Sequence, residues 1–342
     1  MNDFEWTDAL VPLSQGQDLE RGTAELAMTE IMEGRATPAQ IAAFIVALRI
    51  KGESVEEMTG LASAMRAASV KVDVGIPVLD IVGTGGDRSG TFNISTTASL
   101  IAAGAGARIA KHGNRSASSQ CGSADVLEGL GMVLDLDPEN TASLVREEGF
   151  GFFFAPTYHP AMRFAGPVRS ELKIPTVFNF LGPLTNPAGA KFLAIGVSDS
   201  LMASKMIGVL ANLGSVSAFV FHGEDGLDEL TTTGPSQIYR LRNGEITQSE
   251  FTPEDFGVPR ASIAEIRGGD VQENVSILRS ILAGEKGPKR DIAVVNAAAG
   301  IVAAGLADGF TDGVAAAEKA IDTGAAGSVL SKVVSRSQQM AS

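Results

Sequence analysis

The sequence predicts an α/β protein: a small N-terminal helical domain followed by a large α/β domain with a mainly parallel central sheet. Three observations carry that expectation. The first seventy or so residues show helical patterning and few turn glycines. From about Pro77, short apolar strand-like runs alternate with helical ones, the pattern of parallel sheets. Glycine, with 39 residues, gathers in loops directly after those runs. A chain of 342 residues is long enough for one large domain or two ordinary ones. The expected division is 1–74 for the helical domain, joined by helices near 163–190, and 75–342 for the large domain.

In the N-terminal part, residues 20–32 space Leu26, Ile31 and Met32 among acids. Thr37 fits the cap of a second helix, with Pro38 in its first position and Ile41, Phe44, Ile45 and Leu48 at helical spacing. Ser54 fits the cap of a third, running through Met58, Leu61, Met65 and Ala68. Residues 78–82 are a short apolar run stopped by a glycine loop, as in a buried parallel strand. Helical patterns follow at 95–105, 138–148 and 201–213, and strand-like ones at 107–110, 151–154, 192–197 and 216–222. The tail from Val271 to Val334 is largely helical, with 292–295 fitting either state.

Lys and Arg total 27 against 40 Asp and Glu, a formal charge of −13 that repels phosphate backbones and argues against a nucleic-acid partner. Cys121 is the single cysteine, so no disulfide forms within the chain and no thiolate cluster holds zinc. The first residues carry acids where a secretory signal needs a basic segment, and no apolar stretch reaches the length of a membrane span. The expectation is a soluble cytoplasmic protein with no membrane partner.

Four segments carry chemistry. Gly83-Thr84-Gly85-Gly86-Asp87-Arg88-Ser89-Gly90-Thr91 follows a strand directly. Glycines let backbone N–H groups approach an anion, and the next helix adds its positive end. Arg88 stands where a dinucleotide fingerprint needs its third glycine, and Thr91 where a Walker loop needs lysine. A plain tight turn explains the loop as well, until Asn93-Ile94-Ser95-Thr96-Thr97 adds amide and hydroxyl groups at the helix opening. Lys111-His112-Gly113-Asn114-Arg115-Ser116-Ala117-Ser118-Ser119 sets two cations among hydroxyls after another strand, a mixture suited to a polyanion. Gly122-Ser123-Ala124-Asp125 begins a further helix and extends that cradle. Asp228-Glu229 in a strand-end loop suits Mg²⁺, although acidic surface loops are common. Arg169 could grip a carboxylate in a fork; from its neighbours alone, an exposed arginine is the default.

GTGGD, FNIST, KHGNRS with GSAD, HPAM, NFLGPLTNPA and DGLDEL occur in one order over nearly the whole chain. In this the sequence resembles the anthranilate phosphoribosyltransferases. The resemblance implies a nucleoside phosphorylase/phosphoribosyltransferase-like fold, a homodimer and an early step of tryptophan biosynthesis. The step joins anthranilate to phosphoribosyl pyrophosphate (PRPP) with Mg²⁺. It further implies that Gly83 contacts both substrates, and that Gly86, Asp87, Thr91, Asn93, Ile94, Ser95 and Thr96 hold PRPP. Lys111, His112, Gly113, Asn114, Arg115, Ser116, Ala117, Ser118 and Ser119, with Ser123, would continue that site. Asn114 and Arg169 would meet anthranilate with His112 beside its ring, while Ser95, Asp228 and Glu229 would ligate Mg²⁺. Lys111 would act on the departing pyrophosphate, with His112 a candidate for proton handling or positioning. Lys173 and Pro175 depart from the glycine and arginine many members carry there. A pyrimidine nucleoside phosphorylase and a non-catalytic nucleic-acid-binding relative are the rival readings; KHGN, GPLTNP, the charge and Asp228-Glu229 argue against them.

Overall fold

Four helices open the computed structural model, which describes residues 4–116 and 120–341. They are α1 (Trp6–Ser14), α2 (Arg21–Met32), α3 (Pro38–Lys51) and α4 (Val55–Ala67). The last three are those the periodicity predicts. The first is short, carries Pro12 inside it, and is held down by Trp6, whose ring meets Phe44 edge-on at 5.8 Å. Both expected caps form. The Gln40 N–H donates to Thr37 Oγ1 at 3.3 Å and the Glu57 N–H to Ser54 Oγ at 3.2 Å. Each first-turn side chain reaches back to the N–H of its cap residue, at 2.8 and 2.7 Å.

The large part alternates as expected: β1 (Leu79–Gly83), α5 (Ile94–Gly104), β2 (Ile109–Gly113), α6 (Ser123–Gly129), α7 (Pro138–Glu148) and β3 (Phe150–Phe154). Three helices, α8 (Ala155–Tyr158), α9 (Met162–Leu172) and α10 (Phe178–Leu181), lead to β4 (Phe192–Gly196), α11 (Ser200–Asn212) and β5 (Ser217–Gly223). Then come β6 (Ser236–Arg242), β7 (Glu245–Phe251), α12 (Val271–Leu282), α13 (Pro288–Ala303), α14 (Phe310–Asp322) and α15 (Ala325–Met340). The strands form one sheet in the order β3-β2-β1-β4-β5-β6-β7, parallel from β3 to β5. The antiparallel β6–β7 hairpin at one edge lies outside the helix–strand alternation. Asn243 and Gly244 join its strands with φ of 53° and 81°, the two left-handed residues a tight hairpin turn demands. Residues 292–295 are helical: they lie in α13, which is buried on every side from Ile292 to Ala303, and such a helix is apolar without period.

Alternate strand residues serve two cores, as the pleat requires. Ala194, Phe219 and Phe221 face the C-terminal helices and α5, whereas Leu193, Ile195, Ala218 and Val220 face α11 and the N-terminal helices. Ala165 and Val168 of α9 belong to that second core, so α9 completes the small bundle from far along the chain. Its last turn ends at Lys173 with φ of 54°, a left-handed position where glycine would be at ease.

Candidate active site

The chain leaves β1 toward β2 on one side, and β4 lies on the other, so the carboxyl ends of β1 and β4 bound the crevice where open α/β sheets bind ligands. Both strands end in glycine because Asp228 lies across them. A Cβ on Gly83 would collide with the Asp228 carboxylate, and one on Gly196 with its carbonyl. The Gly85 N–H donates to Asp228 Oδ2 at 2.6 Å, and the Ser95 N–H to Glu229 Oε1 at 3.1 Å. The two acids are therefore buried anchors, each 8% exposed, rather than a solvated loop.

From Gly85 to Gly90 the first loop takes left-handed backbone at Gly85, Gly86, Arg88 and Gly90, with φ between 57° and 86°. A Cβ on Gly86 would meet open space, so the demand there is conformational. Asp87 accepts from Ser89 Oγ at 2.6 Å, and the same hydroxyl reaches Thr91 Oγ1 at 3.4 Å. Asn93 turns away from the crevice: its Nδ2 donates to Cys121 O at 3.2 Å and its Oδ1 accepts from Cys121 Sγ at 3.4 Å, tying the two loops together. Ile94 and Thr96 are buried in the first turn of α5, and Thr96 Oγ1 has no partner among the described residues.

Lys111 does not face the crevice directly. Its side chain is buried, with Nζ donating to Ile81 O at 2.6 Å and to Ser95 Oγ at 3.4 Å. Burial lowers its pKa, and Asp80 and Glu229 oppose that shift. His112 is buried beside it. Its Nδ1 lies 3.2 Å from Gly182 O, an atom that can only accept, so Nδ1 carries the proton. Its Nε2 is left without a partner among the described residues, and its ring lies 5.0 Å from that of His159. Burial and His159 push its pKa down to about 3, so the imidazole is neutral at pH 7. This weighs against proton handling and for positioning.

Sequence reasoning missed the group that aims these side chains. Asp80 is wholly buried, accepting from the His112 N–H at 3.3 Å and from Asn186 Nδ2 at 2.7 Å. Asn186 also donates to Ala110 O at 2.8 Å, so GPLTNP clamps β1 and β2. Burial lifts the Asp80 pKa to about 6 against the pull of Lys111. The signal was an acid inside an apolar strand.

Gly113 ends β2, and a Cβ there would collide with Ser123 Oγ, which donates to Asn114 O at 3.2 Å. Asn114 is exposed. Arg115 is not a free cation: it pairs with Asp125 at 3.1 Å and with Glu128, and lies 5.5 Å over Phe154. Asp125 caps its own helix, accepting from the Gly122 N–H at 2.8 Å and the Ser116 N–H at 3.1 Å. Ala117, Ser118 and Ser119 lie outside the described residues. Arg169 departs from the exposed default. It is half-buried, 5.1 Å over the Phe178 ring, and forms no ion pair among the described residues.

Burial and the like charge of Asp87 raise Asp228 to about 7, and burial with Asp228 raises Glu229 well above the carboxylate range against Lys111. Among the described residues no three His, Cys, Asp or Glu side chains form a metal-binding group. Two carboxylates and the Ser95 hydroxyl still fit Mg²⁺, which takes few protein oxygens and completes its shell with water and phosphate.

Two family models match the chain, "Glycosyl transferase family, helical bundle domain" over 7–69 and "Glycosyl transferase family, a/b domain" over 75–327. An anthranilate phosphoribosyltransferase of Chloroflexus aurantiacus is 51% identical over 97% of this chain and 98% of its own. The crystal structure of the Thermus thermophilus anthranilate phosphoribosyltransferase superposes with a TM-score of 0.92 at 42% identity, over 97% of this chain and 99% of that one. The Saccharomyces cerevisiae enzyme in complex with PRPP and Mg is similar at a TM-score of 0.89 and 27% identity, covering 98% of each.

Proposed function

The chain belongs to the anthranilate phosphoribosyltransferase family, and from that premise we propose how its residues divide the work. The enzyme transfers the phosphoribosyl group of PRPP to the amine of anthranilate, giving N-(5-phosphoribosyl)anthranilate and pyrophosphate, a step of tryptophan biosynthesis, with Mg²⁺ as cofactor. The observation that carries the site is convergence: the glycine loop after β1, the start of α5 and Asp228-Glu229 meet at the switch point of the sheet.

In this reading Gly83, Gly86, Asp87, Thr91 and Asn93–Thr96 shape the PRPP cradle, and Gly113–Ser116 with Ser123 continue it. The Gly85 N–H is taken by Asp228, so the close backbone approach to the phosphates falls to left-handed Gly86 and the residues after it. Ser95, Asp228 and Glu229 would hold Mg²⁺, which would supply neutralising charge to the pyrophosphate. An aromatic amine is a modest nucleophile, so the C1–O bond breaks ahead of C–N bond formation and the protein's task is alignment and charge. Arg169, without an acid partner among the described residues, grips the anthranilate carboxylate, and Asn114 presents a polar edge. Lys111 acts through Ser95, whose hydroxyl it holds, and neutral His112 walls the amine side.

We also keep the 74/75 domain boundary, with α9 added to the small domain; the core shared by α9 and the N-terminal helices supports this. A homodimer remains part of the proposal, and sedimentation tests it. A cytoplasmic location fits a biosynthetic enzyme with one cysteine. The decisive assay is anthranilate fluorescence. It falls only when PRPP and Mg²⁺ are both present; a signal that does not fall overturns the assignment.

A further inference from the structure

An arginine outside every motif named above stands beside the first loop. Gly90 to Phe92 runs antiparallel to Ile266 to Gly268: the Phe92 N–H donates to Ile266 O at 3.3 Å and the Gly268 N–H to Gly90 O at 3.0 Å. These bonds flank Thr91 and Arg267, which makes the two a non-hydrogen-bonded pair. In antiparallel ladders such partners are the closest, about 4.5 Å apart at Cα, and their side chains leave on the same face. The Thr91 hydroxyl marks that face. It accepts from Ser89 Oγ, which also donates to Asp87, and the Asp87 charge is felt at Asp228. Arg267 thus rises on the side of the polar chain that leads to the metal carboxylates.

The register is fixed. A Cβ on Gly268 would stand 2.6 Å from Phe92 Cα, so only glycine lets the segments approach this closely. Asn274 seals the turn behind it, donating to Gly269 O at 2.7 Å and Asp270 O at 2.9 Å. The Arg267 side chain is exposed and makes no ion pair or hydrogen bond among the described residues. In a chain of charge −13, a guanidinium held in place without an acid is poised for phosphate.

We propose that Arg267 is a PRPP-binding residue whose guanidinium donates to the diphosphate across the first loop. The proposal rests on the reading of Thr91 as part of the PRPP cradle. PRPP with Mg²⁺ is titrated calorimetrically into the parent, Arg267→Ala and Arg267→Lys, and steady-state constants are measured for each. Arg267→Ala raises the Kd for PRPP about ten- to a hundredfold, the worth of a charged hydrogen bond. The loss is larger at low salt. The lysine variant falls between, keeping charge without the fork, and the KM for anthranilate and the melting temperature stay put. A parent that binds PRPP beside an Arg267→Ala variant that binds it within about twofold overturns the proposal alone. A parent that does not bind PRPP overturns the underlying reading as well.

Discussion

Arg169 lies half-buried over Phe178 with no acid among the described residues to hold it, which is an unusual place to leave a guanidinium unless something else completes it. Arg169→Ala should raise the KM for anthranilate about ten- to a hundredfold and that for PRPP little, as expected for charged hydrogen bonds made to one substrate. Equal effects on both substrates would mark a structural arginine. His112 gives a pH test. Its folded pKa is down near 3 from 6.5, so the unfolded chain binds more protons between those values. Stability is present in full above pH 6.5 and drains as pH falls toward 3. His112→Asn keeps an N–H for Gly182 O but cannot titrate, so the parent should lose about 1.4 kcal/mol more than the variant per pH unit below 6.5. Urea unfolding at pH 7 and 5 measures it; a constant difference would mean that His112 protonates freely. The identities of Lys111 and His112 were legible in the sequence, but their directions were not. Direction depends on Asp80, whose partner Asn186 lies 106 residues away, and on the Gly182 carbonyl, 70 residues away.

At the scale of elements, the loop after β5 brings Asp228 and Glu229 onto the ends of β1 and the start of α5. Because each carboxylate accepts a backbone N–H, alanine would orphan those donors and confuse stability with function. Asp228→Asn with Glu229→Gln keeps acceptors and removes charge. The pair should abolish turnover and leave the melting temperature equal or higher, since burial and mutual repulsion already disfavour the charged carboxylates there. PRPP with Mg²⁺ should raise the parent's melting temperature and not the variant's; a ligand shift retained by the variant would remove these acids from the metal site. Most of the parallel sheet was legible because its strands are short, mostly apolar runs and all but β3 end in glycine. The hairpin was less legible: Asn243-Gly244 between alternating residues announces it, but its two strands pair at the sheet edge without the intervening helix that marks the others. Arg115 shows the opposite limit. Its charge suggested an anion site, and only the fold reveals that Asp125 and Glu128 take it.

For the molecule as a whole, the small bundle is not self-sufficient. Its core runs through α9 and α11 and into the sheet, so residues 1–74 alone would expose much of the surface they bury here. That fragment should lack a cooperative thermal transition by circular dichroism, whereas the full chain melts sharply; a sharp melt for the fragment would show that its four helices suffice. The crevice has a similar dependence on distance along the chain. Gly85 and Asp228 are 143 residues apart, and β1 must wait for β4 before its second edge is filled. At roughly 5–20 residues per second, a ribosome delivers the carboxylate on the order of 7–30 s after the glycine. Long-range pairing of this kind is slow to form and leaves an edge open to other strands meanwhile. A nascent or truncated chain is therefore aggregation-prone well before it is catalytically competent, and substrate can rescue only chains that are already complete.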